Sequence, residues 1–419
     1  MKPDYYNLHG LFMSSTAKAF IQRLDIDSKT QTTLDGALED IRNCLRPALK
    51  KIALEAGVVA AYSNPQFRFQ GSSVYKTQNA PAFVPEQQVD VDMGVYLSAA
   101  FLDTAGSQAP GARRLPAASL AKTYFSTVDQ LLQKLCKEKG WKYAEAKKLK
   151  DTCCRIDLSP TGVHAHIDVP LYAAPNEQFT RALNKSLSFA QDRGGIIEAA
   201  RYDMSPDIDD AGWDELGTVV MAKRTGEWEE SDILVVIQHF RSASDRIGHP
   251  FILRRMWRYV KSWRDQTWRN GGGPSSILLM ECVVRVIEDD LDATKKLFES
   301  GRDDKLLRHI FDSLHHQLLD DVSVQWGSEP ESLNIADRET RQSWASCAQG
   351  CAGAFELANS DNTLTVAQAI SVIREKFGTR IPTDENLVKR VVAVAAPFIS
   401  TAARSQPDPQ DRVKRTGGA

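Results

Sequence analysis

Two carboxylates carry the strongest chemical signal in this chain. Asp90 and Asp92 lie in Gln88-Val89-Asp90-Val91-Asp92-Met93-Gly94-Val95-Tyr96-Leu97. Val89, Val91, Met93 and Val95 alternate with them, which reads as a half-buried strand. Residues i and i+2 of a strand share a face, so the two carboxylates project side by side. Such a pair repels itself, and one member would hold its proton. A divalent cation removes the conflict, and Mg²⁺ takes one or two carboxylates together with substrate phosphates.

A third acid fits the same plan. In Val163-His164-Ala165-His166-Ile167-Asp168-Val169-Pro170-Leu171-Tyr172 the apolar face is Val163, Ala165, Ile167 and Val169. His164, His166 and Asp168 form the other face. If this strand lies beside the first, Asp90, Asp92 and Asp168 converge. Three carboxylates can hold two metal ions roughly 3.5–4 Å apart and clamp the attacking and leaving oxygens of phosphoryl transfer. Asp168 can also help deprotonate an attacking sugar hydroxyl. Upstream stands the turn Phe69-Gln70-Gly71-Ser72-Ser73. A Gly-Ser turn alone is ordinary chemistry, and an isolated Asp-x-Asp pair reads as a solvated edge. In this order the three elements have the layout of a nucleotidyltransferase site. Oxygen-ligated Mg²⁺ suffices for that chemistry, with Mn²⁺ as a substitute, so the two histidines are expected to be sheet residues and not ligands.

A second constellation lies downstream. A helix is expected over about 251–268, with Leu253, Met256, Trp257, Val260 and Trp268 on one face. Arg254, Arg258 and Lys261 share another face, which alone reads as a solvated cationic stripe. The loop Asn270-Gly271-Gly272-Gly273 then leads into a helix whose first turn is Pro274-Ser275-Ser276, with proline in its preferred place. A helix N-terminus offers free N–H groups to phosphate. Lys261 would add a point charge there and Ser275 a hydroxyl.

Other elements must position these groups. Leu34, Ala37, Leu38, Ile41, Leu45, Ala48, Leu49 and Ile52 make an amphipathic helix, with Pro47 as a candidate kink. Strands are expected at about 66–70, 88–98, 152–159 and 163–172, and a helix at 118–139 before Gly140. Residues 104–116 read as a Gly/Pro/Ala-rich loop and 204–232 as acidic and irregular. From about 232 the chain reads as helical, including a helix start at Thr383-Asp384-Glu385. The resulting division is 1–203, catalytic core with N-terminal helices; 204–403, helical nucleotide-gripping domain; 404–419, a polar tail with Pro407 and Pro409.

Composition bounds the alternatives. The chain has 419 residues, 42% hydrophobic and 25% charged, as in ordinary globular proteins. Net charge is −2, from 52 Lys+Arg against 54 Asp+Glu, so a duplex-DNA partner or DNA activator is not expected. No apolar run reaches the ~18 residues of a membrane span, and Met1-Lys2-Pro3-Asp4-Tyr5 lacks a signal-peptide core. Seven scattered cysteines without a Cys-x-x-Cys suit reduced thiols in a cytoplasm, and the adjacent Cys153-Cys154 lack the rest of a zinc set.

Phe69-Gln70-Gly71-Ser72-Ser73-Val74-Tyr75-Lys76-Thr77 and Pro85 to Leu97 resemble the bacterial cGAS/DncV-like nucleotidyltransferases, in the cyclic GMP-AMP synthase branch. His166-Ile167-Asp168-Val169-Pro170-Leu171-Tyr172 is similar to that family's third-carboxylate strand. Arg258 to Asp265, with Gly272 to Ser276, resembles its triphosphate grip. The resemblance implies an α+β fold, a polymerase-β-like mixed sheet with a C-terminal helical domain. It also implies template-free synthesis of a cyclic dinucleotide, 3′,3′-cyclic GMP-AMP, from ATP and GTP in anti-phage defence. Linear oligonucleotide synthesis, modification of a small molecule and non-catalytic nucleotide sensing are the alternatives. Asp90, Asp92 and Asp168 are the implied catalytic and metal residues; Gly71, Ser72, Lys261 and Ser275 the implied phosphate contacts. Glu227 to Asp232 resembles the base-contacting segment, with Asp232 as the contact, although Ile233 stands where the family has proline. Eighteen positions separate Ser72 from Asp90, longer than the common spacing, so Ser72 is favoured over Ser73 only because it directly follows Gly71. The family also implies that a ubiquitin-activating-like enzyme conjugates the Gly417-Gly418-Ala419 end.

Overall fold

Period-two alternation becomes a mixed seven-stranded sheet in the computed structural model. The structure describes residues 4–15, 19–99, 117–144, 151–175, 177–179, 181–182, 216, 219–326 and 330–391. The expected loop 104–116 and the 404–419 tail lie outside these residues. A short strand β1 (Tyr6–Asn7) comes first, away from the main sheet. The main sheet contains β2 (Gln66–Gln70), β3 (Val89–Ala99), β4 (Lys142–Tyr143), β5 (Cys153–Asp157) and β6 (Ala165–Pro175). Their order is β2-β3-β6-β5-β4, and β7 (Val219–Ala222) and β8 (Trp228–Ser231) extend it. β3 and β6 run parallel; β2 pairs antiparallel with β3, and β5 with β6. The first half of β6 pairs with β5 and its second half with β7.

One face of this sheet is a core. The long helices α1 (Ser28–Glu55) and α2 (Ala117–Lys139) lay Leu38, Ile41, Leu45, Tyr124, Val128 and Leu132 against Val91, Met93, Val95, Ile167 and Val169. α1 runs through Pro47 to Glu55, and Gly140 ends α2 at a φ of +70°. The opposite face carries the alternate residues, and these include the acids.

The second lobe is helical: α3 (Ile233–Ile247), α4 (Pro250–Thr267), α5 (Ser276–Asp289), α6 (Asp303–Gln317), α7 (Arg338–Ser360) and α8 (Val366–Phe377), with shorter helices between them. Trp263, Phe311, Phe355 and Phe377 lie at its centre. The N-terminal residues join this lobe and not the sheet. β1 pairs with a late strand at Lys389–Arg390, and Tyr6, Phe12 and Phe20 pack among the helices.

Three expectations change. The irregular stretch 204–232 contains the β7–β8 hairpin, whose Met221–Tyr172 register ties it to β6. Its strands are four residues long, too short for periodicity to stand out. Both lobes therefore draw on residues from either side of the expected 203/204 division. Thr383-Asp384-Glu385 starts only a single 3₁₀ turn, Glu385–Leu387, because the chain then extends to pair with β1.

A strap joins the lobes. Residues 77–88 run from the Gly-Ser turn to β3, docking on α4 and its neighbours. The Asn79 side chain exchanges hydrogen bonds with the Arg258 carbonyl and guanidinium, at 2.9 and 3.0 Å. Arg380 donates to the Ala80 carbonyl at 2.8 Å. Gln87 accepts from the Ala82 and Phe83 amides and donates to the Asp265 and Arg269 carbonyls. Gln87→Ala leaves these groups without their partner and should cost about 1–3 kcal/mol. Amide exchange should accelerate within 78–88 while α1 and α2 stay protected. Unchanged protection of the strap would contradict its docking role.

Candidate active site

Strand register brings the predicted acids together. In the parallel β3–β6 pair, Asp90 stands opposite His166 and Asp92 opposite Asp168. The antiparallel neighbours put Gln70 beside Asp92 and Arg155 beside Asp168. Asp90 is exposed, Asp92 half-buried and Asp168 buried, so the acids descend from the cleft into the sheet.

Each acid meets a different environment. Asp168 accepts a bidentate fork from Arg155, with both N···O distances 2.6 Å. This pair holds the Arg155 guanidinium charge firmly, its hydrogen bond to Asp168 being the main cause. Asp90 lies 2.8 Å from His166 Nε2. Asp92 faces the turn after β2. Gly71 there has φ +56°, and a Cβ on it would come within 2.7 Å of Asp92 Oδ2. Only glycine suits both the left-handed backbone and this approach. Ser72 Oγ donates to the Asp90 carbonyl at 3.5 Å.

Gly94 plays a supporting part. A Cβ there would meet Gln70 Nε2 at 2.4 Å. Gln70 instead passes across and donates to Tyr96 Oη at 2.8 Å, while Tyr172 Oη donates back to Gln70 Oε1. The two tyrosine rings stack with centroids 4.8 Å apart. This brace fixes the sheet beneath the Gly71 turn.

Between the lobes opens a cleft of about 610 Å³, within the range of small-molecule sites. Gly71, Ser72, Asp90, Asp92, Lys261 and Ser275 all line it. Asp168 lies behind, covered by Arg155. Asp232 precedes α3 at its N-cap position without a side-chain cap bond; Ile233 and Val236 line the cleft, and Asp232 does not.

The helical side differs from expectation in detail. Arg254, Arg258 and Lys261 do not form a solvated stripe. Arg254 lies over the Phe251 ring, Arg258 pairs with Asp25 at 2.9 Å, and Lys261 is buried. Lys261 Nζ donates to the Thr77 carbonyl at 2.9 Å. Pro274 is not the first helical residue: Ser275 is the N-cap of α5, and its Oγ accepts from the Leu278 amide at 3.2 Å. Sequence reading also missed Arg264, which lines the cleft and donates to Ser276 Oγ at 2.6 Å. Arg155 was missed as well, although Cys153–Asp157 alternation would place it on the acid face.

These carboxylates fit a divalent metal, since like charges gathered on one sheet face need a cation. The match to known proteins follows the same geometry. Residues 65–172 match the family described as cyclic GMP-AMP synthase DncV-like, nucleotidyltransferase domain, and residues 251–390 the cyclic GMP-AMP synthase C-terminal domain. Together these span more than half of the chain. The protein belongs to the DncV-like nucleotidyltransferases. It is therefore an enzyme of nucleotidyl transfer. It is 29% identical over 360 residues to the cyclic GMP-AMP synthase of Vibrio cholerae, covering 83% of this chain and 74% of that protein. An Escherichia coli cyclic GMP-AMP synthase is 28% identical over 354 residues, covering 82% and 74%. The fold is that of Vibrio cholerae DncV solved with the linear intermediate 5′ pppA(3′,5′)pG: TM-score 0.70, 20% identity, 93% of this chain and 100% of that one. Among the described residues no helix is long and apolar enough to cross a membrane.

Burial pulls the Lys261 ammonium from its usual 10.5 down to about 8. The sign of its effects follows. Burying the charged form costs stability below pH ~8, and that cost fades as pH rises toward the unfolded value. Phosphate binding has the opposite demand, because only the ammonium attracts phosphate. Affinity for a non-hydrolysable GTP should be flat below pH ~8 and fall up to about tenfold per unit above it. Calorimetric titration from pH 7 to about 9.5 checks this, with Lys261→Met expected to abolish the slope. A wild-type affinity with the same pH profile as the variant would contradict it.

Proposed function

We propose that the enzyme joins ATP and GTP into 3′,3′-cyclic GMP-AMP by two successive nucleotidyl transfers, as a signal in anti-phage defence. The observation that carries this reading is one cleft shared by the two lobes. It places the acid-bearing sheet face across from Lys261 and the N-terminus of α5. The curated relatives' names supply the product class.

Asp90, Asp92 and Asp168 would hold Mg²⁺, which neutralises phosphate charge and stabilises the developing oxyanions when bound. Until then Arg155 supplies the positive charge that Asp168 needs. The Gly71 turn brings backbone close to the cleft floor, and Ser72 presents a hydroxyl beside Asp90. Lys261, already desolvated, offers its ammonium to the β- and γ-phosphates without first shedding a full water shell. The α5 N-terminus adds backbone N–H donors and positive potential. Ser275 keeps these donors ordered by capping the Leu278 amide, so its contribution is positional. Arg264 stands beside them as a second cation.

In the first transfer the 3′-hydroxyl of one nucleotide attacks the α-phosphorus of the other. The bond to the β-phosphate oxygen breaks, pyrophosphate leaves, and the hydroxyl proton passes toward Asp168. By analogy with the intermediate held in the Vibrio protein, the linear product is pppA(3′,5′)pG. Turning this intermediate within the same cleft brings its remaining triphosphate onto Lys261 and α5, and the second attack closes the ring. Asp232, at the start of α3, is proposed as the contact that reads a purine edge above Ile233.

Incubation with ATP, GTP and Mg²⁺ should yield a product of the mass of cyclic GMP-AMP that resists phosphatase. Either nucleotide alone should give much less of it. A phosphatase-sensitive linear product, a pyrimidine-containing product or a cyclic trinucleotide would contradict the proposal.

A further inference from the structure

Two helices supply an apolar stretch of the cleft wall. Ile233 and Val236 come from α3, Ile277 and Met280 from α5. Lys261, Arg264, Asp90 and Asp92 charge another part of the lining. α3 enters the helical lobe directly from the sheet, because it follows β8 and β8 pairs through β7 with β6. The sheet therefore fixes where α3 starts. A contact within the helical lobe must fix how it then lies against α5.

His239 stands one turn beyond Val236, and Glu281 one turn beyond Ile277; residues three or four apart share a helix face. His239 Nε2 lies 2.8 Å from Glu281 Oε2. Glu281 is buried, and its other oxygen accepts from Arg285 Nε at 2.9 Å. Burial alone would push this carboxyl up, yet the hydrogen bonds from His239 and Arg285 hold it below its usual value. An ionised carboxylate only accepts, so His239 Nε2 is the donor. Arg285 donates in turn to the Ser323 carbonyl, and the imidazole packs edge-on against Phe240 and Trp326. Another link between these helices, Arg246 with Glu288 at 2.8 Å, is solvent-exposed, and exposed pairs contribute little. A buried carboxylate that loses a donor is costly, so the His239–Glu281 bond is the one that holds α3 on α5.

We propose that His239 is a positioning residue for nucleotide binding: its hydrogen bond to Glu281 sets the gap between the Ile233–Val236 and Ile277–Met280 walls, and with it how tightly the cleft closes on a nucleobase. His239 and Glu281 do not line the cleft, so the effect passes through the two helices. A base is held on its flat faces by close contact, which weakens quickly as a wall moves back. Phosphate binding does not share this dependence, because Lys261 and Arg264 stand on α4. The inference rests on the cleft being the nucleotide site.

Calorimetric titration of the full chain with two probes, non-hydrolysable GTP and inorganic tripolyphosphate, each with Mg²⁺, tests it. His239→Asn, whose amide is too short to reach Glu281, should bind the GTP analogue about tenfold more weakly, with tripolyphosphate affinity little changed. His239→Gln places an amide donor where Nε2 stands and should recover most of the loss. In turnover, the asparagine variant should raise KM far more than it lowers kcat. Unchanged analogue affinity in His239→Asn would overturn the proposal, as would an equal loss for both probes or a glutamine variant no better than asparagine. A wild type that binds tripolyphosphate as tightly as the analogue would overturn it too, while leaving the phosphate grip standing. A wild type that binds neither probe would bring down the cleft reading itself. If His239→Asn does not fold, His239→Leu, which keeps apolar packing against Phe240 and Trp326, takes its place with the same outcomes.

Discussion

Mutual repulsion among carboxylates on one sheet face is the constraint around which this molecule is arranged. Parallel pairing of β3 with β6 sets Asp92 against Asp168, and β-strand periodicity adds Asp90 on the same side. Nothing in the apolar packing beneath can relieve that repulsion. The protein meets it with a different device for each acid. Arg155 grips Asp168, His166 stands against Asp90, and the glycine at position 71 lets the turn close over Asp92. Like charges gathered in this way are relieved by a bound cation. The site's energy is kept in check by two large hydrophobic cores elsewhere.

Those cores explain how the second half of the site is held in place. The sheet buries its apolar face under α1 and α2, while Trp263 and Phe311 anchor the helical lobe. Between them the strap 77–88 carries most of the positioning. Its Thr77 carbonyl orients Lys261, Asn79 locks Arg258, and Gln87 ties the strap to the C-terminal end of α4. The extra residues between Ser72 and Asp90 are thus the segment that fixes the distance between acids and lysine. Burial that drops the Lys261 pKa is the cost of holding that ammonium ready in the cleft.

Much of this was legible in the sequence. Alternation around Asp90, Asp92 and Asp168 gave strand and face, because a period of two is decisive when one face is buried; that the two strands pair was only a condition until the structure showed it. The stripe from Leu34 to Ile52 gave α1 through its three- and four-residue repeat, and Pro47 did not interrupt it. Elements too short to show a period were not legible: the β7–β8 hairpin, and β1 with its partner at 389–390, whose pairing spans almost the whole chain. Side-chain partners across the fold were equally hidden. Arg258 and Lys261 share a helix face, yet one meets Asp25 and the other Thr77, since the strap covers that face. The hydrogen bonds beside His166 run through Gln88 to Asp157 and Ser159, two separate segments that the sheet brings together. Ser275 was read as a phosphate hydroxyl, and local sequence could not show that its oxygen also accepts from the Leu278 amide.

Keeping three like charges together costs stability, and it is the chemistry that needs them together. Asp92→Asn tests it most directly, through the metal-free melting temperature and nucleotidyl transfer measured on the same preparation. Removing one of three like charges should leave the melting temperature equal or higher, while transfer in Mg²⁺ is lost. A variant that melts well below the wild type would show that Asp92 serves the fold. A variant that still transfers nucleotides at the wild-type rate would show that the acids are not the site.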